Sequence, residues 1–463
     1  MKVLDGVYVD GAWRSAGAAE PLAVVNPATE EVVARVGAGS AQDVDAAVRA
    51  ARAAFPGWAA TPPAERAARL AALRDAMASR ADEIAATVTS ELGAPPKLAQ
   101  AVHTQLPIAV AGSYAELVAS YPFETRVGNS TVLMEPVGVV GAITPWNYPL
   151  HQIVAKVAPA LAAGCAVVLK PAENTPLTAR LFAEVVHEAG FPAGVFNMVC
   201  GLGPVAGQAL VEHPGVDMVS FTGSTAVGRR IGALAGGAVK RVALELGGKS
   251  ASVLLPGADL APAVKATLAN ALSNSGQRCS ALTRVLVHRD QYDEAVALAA
   301  EAVADYVPGE RIGPLVSADQ RDRVVGYIEK GLAEGARLVA GGPTPPLTRG
   351  YYVSPTLFAD VTPEMAIAQE EIFGPVVAFL RYEDEEDALR IANGTVYGLA
   401  GAVWGEPAAA AAFARRMEAG QVDVNGGRFN ALAPFGGHKQ SGIGRELGEH
   451  GLTEYLHTKS LQF

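Results

Sequence analysis

Cys279, within Gly276-Gln277-Arg278-Cys279-Ser280, and Glu245, within Glu245-Leu246-Gly247-Gly248-Lys249, are the two side chains best suited to covalent chemistry in this chain. A thiolate is a nucleophile and a carboxylate is a general base, so the two could serve one acyl-transfer site if the fold returns one to the other. The other cysteines, Cys165 and Cys200, border apolar runs and read as small core hydrophobes. Cys279 instead sits among polar neighbours on an expected loop, where a helix end and Arg278 would favour its thiolate. Asn147 closes the run Ile143-Thr144-Pro145-Trp146-Asn147 and offers an amide donor of the kind an oxyanion needs. Taken alone it reads as a turn residue.

Other turns suit a nucleotide. In Lys170-Pro171-Ala172-Glu173 a Lys and a Glu can hydrogen-bond the hydroxyls of a ribose, and the carboxylate repels a 2′-phosphate. By itself this is a solvated surface pair. The run from Gly201 to Gly207, with Gly203 inside it, is one residue too long for GxGxxG and is weak evidence. The run Phe221-Thr222-Gly223-Ser224-Thr225-Ala226-Val227-Gly228 would let backbone approach a phosphate at a helix start. Each is a tight strand-to-helix turn when read singly. Three in succession on one sheet are hard to dismiss.

The elements that must carry these turns follow from the hydrophobic pattern. Residues 137–245 alternate five-residue apolar strands with helices, the mark of a parallel, doubly wound sheet that binds ligands at its carboxyl strand ends. The alternation restarts over residues 252–417 as a second α/β unit. Before them come short β-prone runs to about residue 40, then Ala-rich amphipathic helices at 41–58, 63–77, 81–92 and 97–121, the last despite Pro107. Residues 123–134 read as an exposed hairpin strand, and the β-prone tail 452–463 could pair with another strand.

At 463 residues the chain predicts several structural units, at ~100–200 residues each. Half of it is hydrophobic and 18% is charged, as in a large globular protein. The net charge of −10 comes without a basic block, so neither nucleic acid nor a membrane surface is an expected partner. The first eleven residues lack the apolar run of a signal peptide, and residues 157–169 are interrupted by Pro159 and Gly164. Three cysteines without CxxC or Cys/His spacing predict no disulfide framework, no metal site and a cytoplasmic location.

With these motifs in their order and spacing, joined by Glu371-Ile372-Phe373-Gly374-Pro375 and Pro434-Phe435-Gly436-Gly437, the chain from about Val24 to its end resembles the NAD(P)-dependent aldehyde dehydrogenase superfamily. The resemblance implies a Rossmann-like parallel-sheet cofactor domain (residues 1–117 and 137–245), a second α/β catalytic domain (246–445) and a small β oligomerisation flap (118–136 and 446–463), giving a homodimer or homotetramer. It implies that Cys279 attacks the aldehyde, that Asn147 and the Cys279 backbone N–H form the oxyanion hole, and that Glu245 activates the water that hydrolyses the thioester. Lys156 resembles a lysine behind the oxyanion site, and Glu446 a carboxylate assigned to proton relay. NAD would be held by Ile143, Thr144, Pro145, Trp146, Lys170, Glu173, Gly203, Gly207, Phe221, Gly223, Ser224, Val227, Leu246, Glu371 and Phe373, with NADP disfavoured by Glu173.

By the same resemblance Tyr148, His151, Ala155, Ser273, Ser280 and Phe435 would line the substrate channel. Ala155 and Ser273 replace bulky aromatics, which implies a roomier channel. The segment 422–428 departs from the usual pattern through Gly426, Gly427 and Arg428, and Arg428 is expected to reach an anionic substrate tail. Ala226 stands where many members carry an acid. Thiol transfer to CoA, or nucleotide binding in a structural role, are the competing readings. The presence of Glu245, Cys279 and Asn147 together favours hydrolytic aldehyde oxidation over both. The physiological aldehyde is not legible.

Overall fold

A computed structural model describes residues 3–17 and 20–463. Residues 1–2 and 18–19 of the expected cofactor segment 1–117 lie outside the described residues. The first sheet is eight-stranded, in the order Gly442–Ile443, Arg241–Glu245, Met218–Thr222, Val139–Ile143, Ala166–Lys170, Phe196–Val199, Val7–Val9, Ala12–Arg14. Its five central strands are parallel, and the edge strands are antiparallel. Apart from Arg241 and Val242 those five strands are buried throughout, which is why they read as unbroken apolar runs rather than alternating ones.

The strand order reverses at Val139–Ile143. From there the chain winds outward through Ala166–Lys170 to Phe196–Val199, then crosses back to lay Met218–Thr222 against the other side. Helices therefore leave the two sides of this strand toward opposite faces, and a crevice opens above its carboxyl end. Register puts Ile143 beside Lys170 and Phe221, and Thr222 beside Glu245. The candidate turns thus share one rim.

The second sheet has seven strands, in the order Arg337–Ala340, Thr356–Ala359, Val376–Tyr382, Arg284–His288, Ala251–Leu254, Ala400–Trp404, Gln421–Val424. Three of these were not anticipated. Arg337–Ala340 and Gln421–Val424 are partly exposed edge strands of four residues, and Thr356–Ala359 follows a Pro- and Gly-rich loop, so none shows a clear periodic signature. Gly442–Ile443, which falls in the stretch expected for the second unit, pairs with Arg241–Glu245 in the first sheet. The tail strand Leu456–Gln462 pairs antiparallel with Ser130–Pro136, which also pairs with Glu124–Val127, in a separate three-stranded sheet.

The expected helix at 97–121 is continuous in direction but contains a π-helical stretch, Ala99–Gln105, before the α-helix Leu106–Ser120. Pro107 has no N–H to offer the carbonyl four residues earlier, and a wider turn accommodates the gap. The helix Pro149–Ala163 runs through the core and is buried at fourteen of its fifteen positions, which fixes the side chains it carries toward the rim.

Candidate active site

The loop that carries Cys279 follows the helix Leu260–Ala271 through a turn with three successive left-handed residues, Asn274, Ser275 and Gly276 (φ +52°, +59° and +72°). Left-handed backbone is unfavourable for non-glycine residues and persists only where surrounding bonds hold it. Here Asn274 Nδ2 donates to the Asn147 carbonyl at 2.8 Å, Ser275 Oγ to the Gly313 carbonyl at 2.8 Å, and Gln277 Nε2 to the Asn274 carbonyl at 3.1 Å. Gln277 Oε1 accepts from Val316 N–H at 2.9 Å. Position 276 has to be glycine, because a Cβ there would lie 2.1 Å from the Gly374 carbonyl oxygen. Between the two sheets, a Cβ on Gly248 would lie 2.4 Å from the carbonyl oxygen of Cys279. Gly248, three residues after Glu245, is thus what lets the two motifs touch.

Cys279 is half-buried, and its thiol is pushed up to about 12 by burial and then by Glu371. Arg278 pulls it down and Glu245 pushes it up, so burial outweighs the cation that the sequence offered as an activator. Asn147 is buried and its Nδ2 donates to the Gln277 carbonyl at 2.9 Å, leaving its second amide hydrogen available. Glu245 ends its strand with both carboxyl oxygens buried and without a hydrogen-bond partner among the described residues. Its carboxyl is raised well above the usual range by burial and by Glu446, against the opposing pull of Lys156 and Arg445. No hydrogen bond joins it to Cys279. Lys156 and Glu446 form a buried ion pair at 2.5 Å.

Two cavities meet at Cys279. On the rim of the first sheet lies a cleft of about 370 Å³ lined by Ile143, Lys170, Glu173, Gly203, Gly207 and Val227 among others. It shares Pro145, Trp146, Thr222 and Gly223 with a smaller recess of about 140 Å³ that reaches Ser224, Leu246, Glu371, Phe373 and Cys279. Lys170 and Glu173 are paired at 3.0 Å. Ser224 caps the helix Thr225–Gly237 by accepting from Val227 N–H, so the positive helix end faces the cleft. Glu371 accepts from Gly248 N–H at 3.1 Å, and burial pushes its carboxyl up to about 7. Phe373, itself left-handed at φ +62°, sets its ring edge-on to Trp146 at 5.4 Å.

Opposite, a chamber of about 380 Å³ opens on the far side of Cys279. Tyr148, His151, Ser273, Ser280 and Phe435 line it. Burial pulls the His151 imidazole down to about 4, so it faces the chamber uncharged near neutral pH. His103 stacks on Tyr148 from behind at 4.8 Å, fixing that ring. Two expected channel residues are elsewhere. Ala155 lies one turn beyond His151 inside the helix Pro149–Ala163 and faces the core, not the chamber. Arg428 is exposed on its loop, and the next residue, Phe429, takes the lining position. The cation that does border the chamber is Arg278, whose Nε donates to Ser280 Oγ at 2.7 Å.

Sequence reasoning missed several lining groups. Gln320 and Arg323, in the first turns of the helix Ala318–Ala333, border the recess, and Arg323 donates to the Glu371 carbonyl at 2.7 Å. Ser317 as a helix cap was a legible signal for their helix, but nothing local shows that its start faces Glu371. Gln152, Leu106 and Phe429 were likewise unread.

Residues 13–461 match the profile described as the aldehyde dehydrogenase family. The chain belongs to the aldehyde dehydrogenase family. It is 46% identical to a 3-succinoylsemialdehyde-pyridine dehydrogenase of a Pseudomonas species, across 98% of this chain and 97% of that one. Among solved structures, a cysteine-to-alanine variant of aldehyde dehydrogenase C from Pseudomonas syringae, in complex with NAD+ and octanal, is similar at TM-score 0.98 and 47% identity. That similarity covers 99% of this chain and 96% of the other. An aldehyde dehydrogenase of Mycobacterium tuberculosis complexed with NAD+ is similar at TM-score 0.97 and 44% identity, covering 100% and 98%. No helix among the described residues is long and apolar enough to cross a membrane.

Proposed function

We propose that this chain oxidises an aldehyde to a carboxylic acid with NAD, by way of a thioester on Cys279. The observation that carries the reading is the position of Cys279 at the meeting point of the cofactor cleft and the chamber. The cleft fits the dinucleotide. It is unobstructed at Gly203 and Gly207, has a helix amino end at Ser224, and holds a Lys170–Glu173 pair where a ribose diol would bind. When bound, NAD supplies the acceptor for the hydride lost by the substrate carbon.

The residues divide the rest. The Cys279 thiolate forms a C–S bond to the carbonyl carbon while the C=O π pair moves onto oxygen, and Asn147 donates to that oxygen. As the C=O bond re-forms the carbon gives up hydride, leaving a thioester. Glu245 then takes a proton from water as the water adds to the thioester, and Cys279 leaves as thiolate. Burial and Glu446 raise the Glu245 carboxyl, which makes it a stronger base once ionised, and its presence supports hydrolysis over thiol transfer to CoA. Glu446 and Lys156 lie behind it as the route by which the proton can leave.

The apolar wall of the chamber, with Leu106, Phe429 and Phe435, supports an extended aldehyde of low polarity, in keeping with the octanal and pyridine semialdehyde named for relatives. The three-stranded sheet, with exposed Val127, Leu461 and Phe463, supports a homodimer or homotetramer joined there. The cofactor, catalytic and oligomerisation segments are then 1–117 with 137–245, 246–445, and 118–136 with 446–463. Three unpaired cysteines support a cytoplasmic location.

NADH formation across aldehydes of differing length, aromaticity and charge tests the reading. Cys279→Ala is expected to abolish it while NAD still binds by fluorescence titration. Substantial residual oxidation by that variant overturns the nucleophile assignment. Glu245→Gln is expected to keep a first-turnover burst of NADH and slow the steady state.

A further inference from the structure

Lys249 and Ser250 lie in the connection between the strands Arg241–Glu245 and Ala251–Leu254, and are 2% and 3% exposed. Neither Lys249 Nζ nor Ser250 Oγ has a hydrogen-bond partner among the described residues. Arg284, also 2% exposed, begins the neighbouring strand Arg284–His288. Its Nε donates to the Lys249 carbonyl at 2.9 Å, and its two terminal nitrogens donate to the Ile391 and Ala392 carbonyls at 2.7 Å. Each terminal nitrogen keeps a second hydrogen, and no carboxylate is among these partners. All three residues border one cavity of about 10 Å³, at the amino ends of the adjacent strands Arg284–His288, Ala251–Leu254 and Ala400–Trp404. That is room for one small sphere, not for a phosphate, a sulfate or a carboxylate.

A buried donor left unbonded is destabilising, and a charged one more so. Burial and then the like charge of Arg284 pull the Lys249 amine down to about 7. Glu371 and Glu370 pull the other way, yet both are engaged elsewhere. Glu371 accepts from Gly248 N–H and borders the cofactor recess, and Glu370 is held by Tyr327 and Lys330. Glu418 borders the cavity, but its carboxylate is paired with Lys439 at 2.6 Å. The two buried side-chain atoms left without partners, Lys249 Nζ and Ser250 Oγ, can both donate. A water among them must also find acceptors for its own hydrogens. A monoatomic anion accepts from every side and supplies the negative charge that two neighbouring buried cations lack.

We propose that this cavity is a halide site, in which Lys249, Ser250 and Arg284 bind one chloride ion. The ion fastens the connection that runs from Glu245 in the first sheet to Ala251 in the second. The cavity shares no lining residue with the cleft, the recess or the chamber around Cys279, so the inference does not depend on the reading of that thiol.

Crystals of the parent enzyme grown in sodium chloride are expected to show a long-wavelength anomalous peak in this cavity, comparable in height to that of the Met417 sulfur beside it. In solution, the melting temperature in chloride is compared with that in gluconate at matched ionic strength, for the parent and for Lys249→Met. Salt effects at the surface are shared by both proteins, so the difference between them reads the site. The parent is expected to gain about 2 °C or more from chloride beyond any gain in the variant. Ser250→Ala keeps the cation and removes one donor, and its chloride response is expected to persist with a midpoint at higher chloride concentration. It decides the matter with the anomalous map if Lys249→Met does not fold. A cavity without an anomalous peak, an equal chloride response in parent and Lys249→Met, or an unshifted midpoint in Ser250→Ala overturns the proposal.

Discussion

Lys156 Nζ and Glu446 Oε1 lie 2.5 Å apart in the interior although 290 residues separate them in the chain. Both act on Glu245, Glu446 raising its carboxyl and Lys156 lowering it. The pair thus bears in opposite senses on the ionisation of Glu245, the proposed base.

Lys156→Met should move that balance. Without the cation, Glu446 remains as a buried, unpaired carboxylate, and Glu245 is raised further. A base must be deprotonated to act, so activity rises with pH through its pKa. In the variant this rise is expected at higher pH in steady-state kcat profiles. Chemical denaturation is expected to show a loss of about 3–5 kcal/mol for breaking a buried pair. A rise at unchanged or lower pH would contradict the arrangement.

Gly436 sits against the same carboxylate. A Cβ there would lie 2.6 Å from Glu245 Oε1 and 2.8 Å from the Gly444 carbonyl oxygen, at φ +150°. Gly436→Ala is expected to displace Glu245 and slow thioester hydrolysis by roughly tenfold or more, with the first-turnover NADH burst preserved. Loss of the burst would place the damage at the nucleophile instead.

Glu371 is the strongest charge acting against the Cys279 thiolate. Its own carboxyl lies at about 7, so above that pH it is ionised and holds the thiol up. Glu371→Gln should lower the thiol pKa and raise the thiolate fraction. Iodoacetamide alkylation of the NAD-free protein at about pH 8.5 is expected to quicken several-fold, given a thiol that normally titrates at about 8.5. Slower alkylation would reverse the sign of this interaction.

Glu173 is proposed to set the choice of dinucleotide. Its ion pair with Lys170 presents a carboxylate where a 2′-phosphate would have to fit. NAD is expected to be preferred over NADP by at least about tenfold in kcat/KM, ~1.4 kcal/mol. Glu173→Gln should narrow that ratio by improving NADP, and comparable rates with both cofactors in the parent enzyme would refute the assignment.

The sequence by itself determined the elements whose cause is local. Strands 139–143, 166–170 and 218–222 were legible because burial on both faces demands unbroken apolar runs. Glu245, Asn147, Lys170 and Glu173 were legible because their side-chain types sit at or just after strand ends, and Cys279 because it sits on a Gly-containing polar loop after a helix. Lys156 and Glu446 entered through the motif set alone, and only the fold brings them to contact.

Tertiary structure decided what depends on which side of a helix or loop faces a cavity. Ala155 and Arg428 were assigned to the channel, yet one points into the core and the other outward, a difference set by helix phase and loop path. Gln152 carries no signal in the sequence, and only the fold brings two cavities together beside it. The ionisation of Cys279 was likewise beyond the sequence. Arg278, its chain neighbour, suggested an easy thiolate, but the shift follows burial and a carboxylate from the second sheet's far connections, and both arise only when the chain closes around the site.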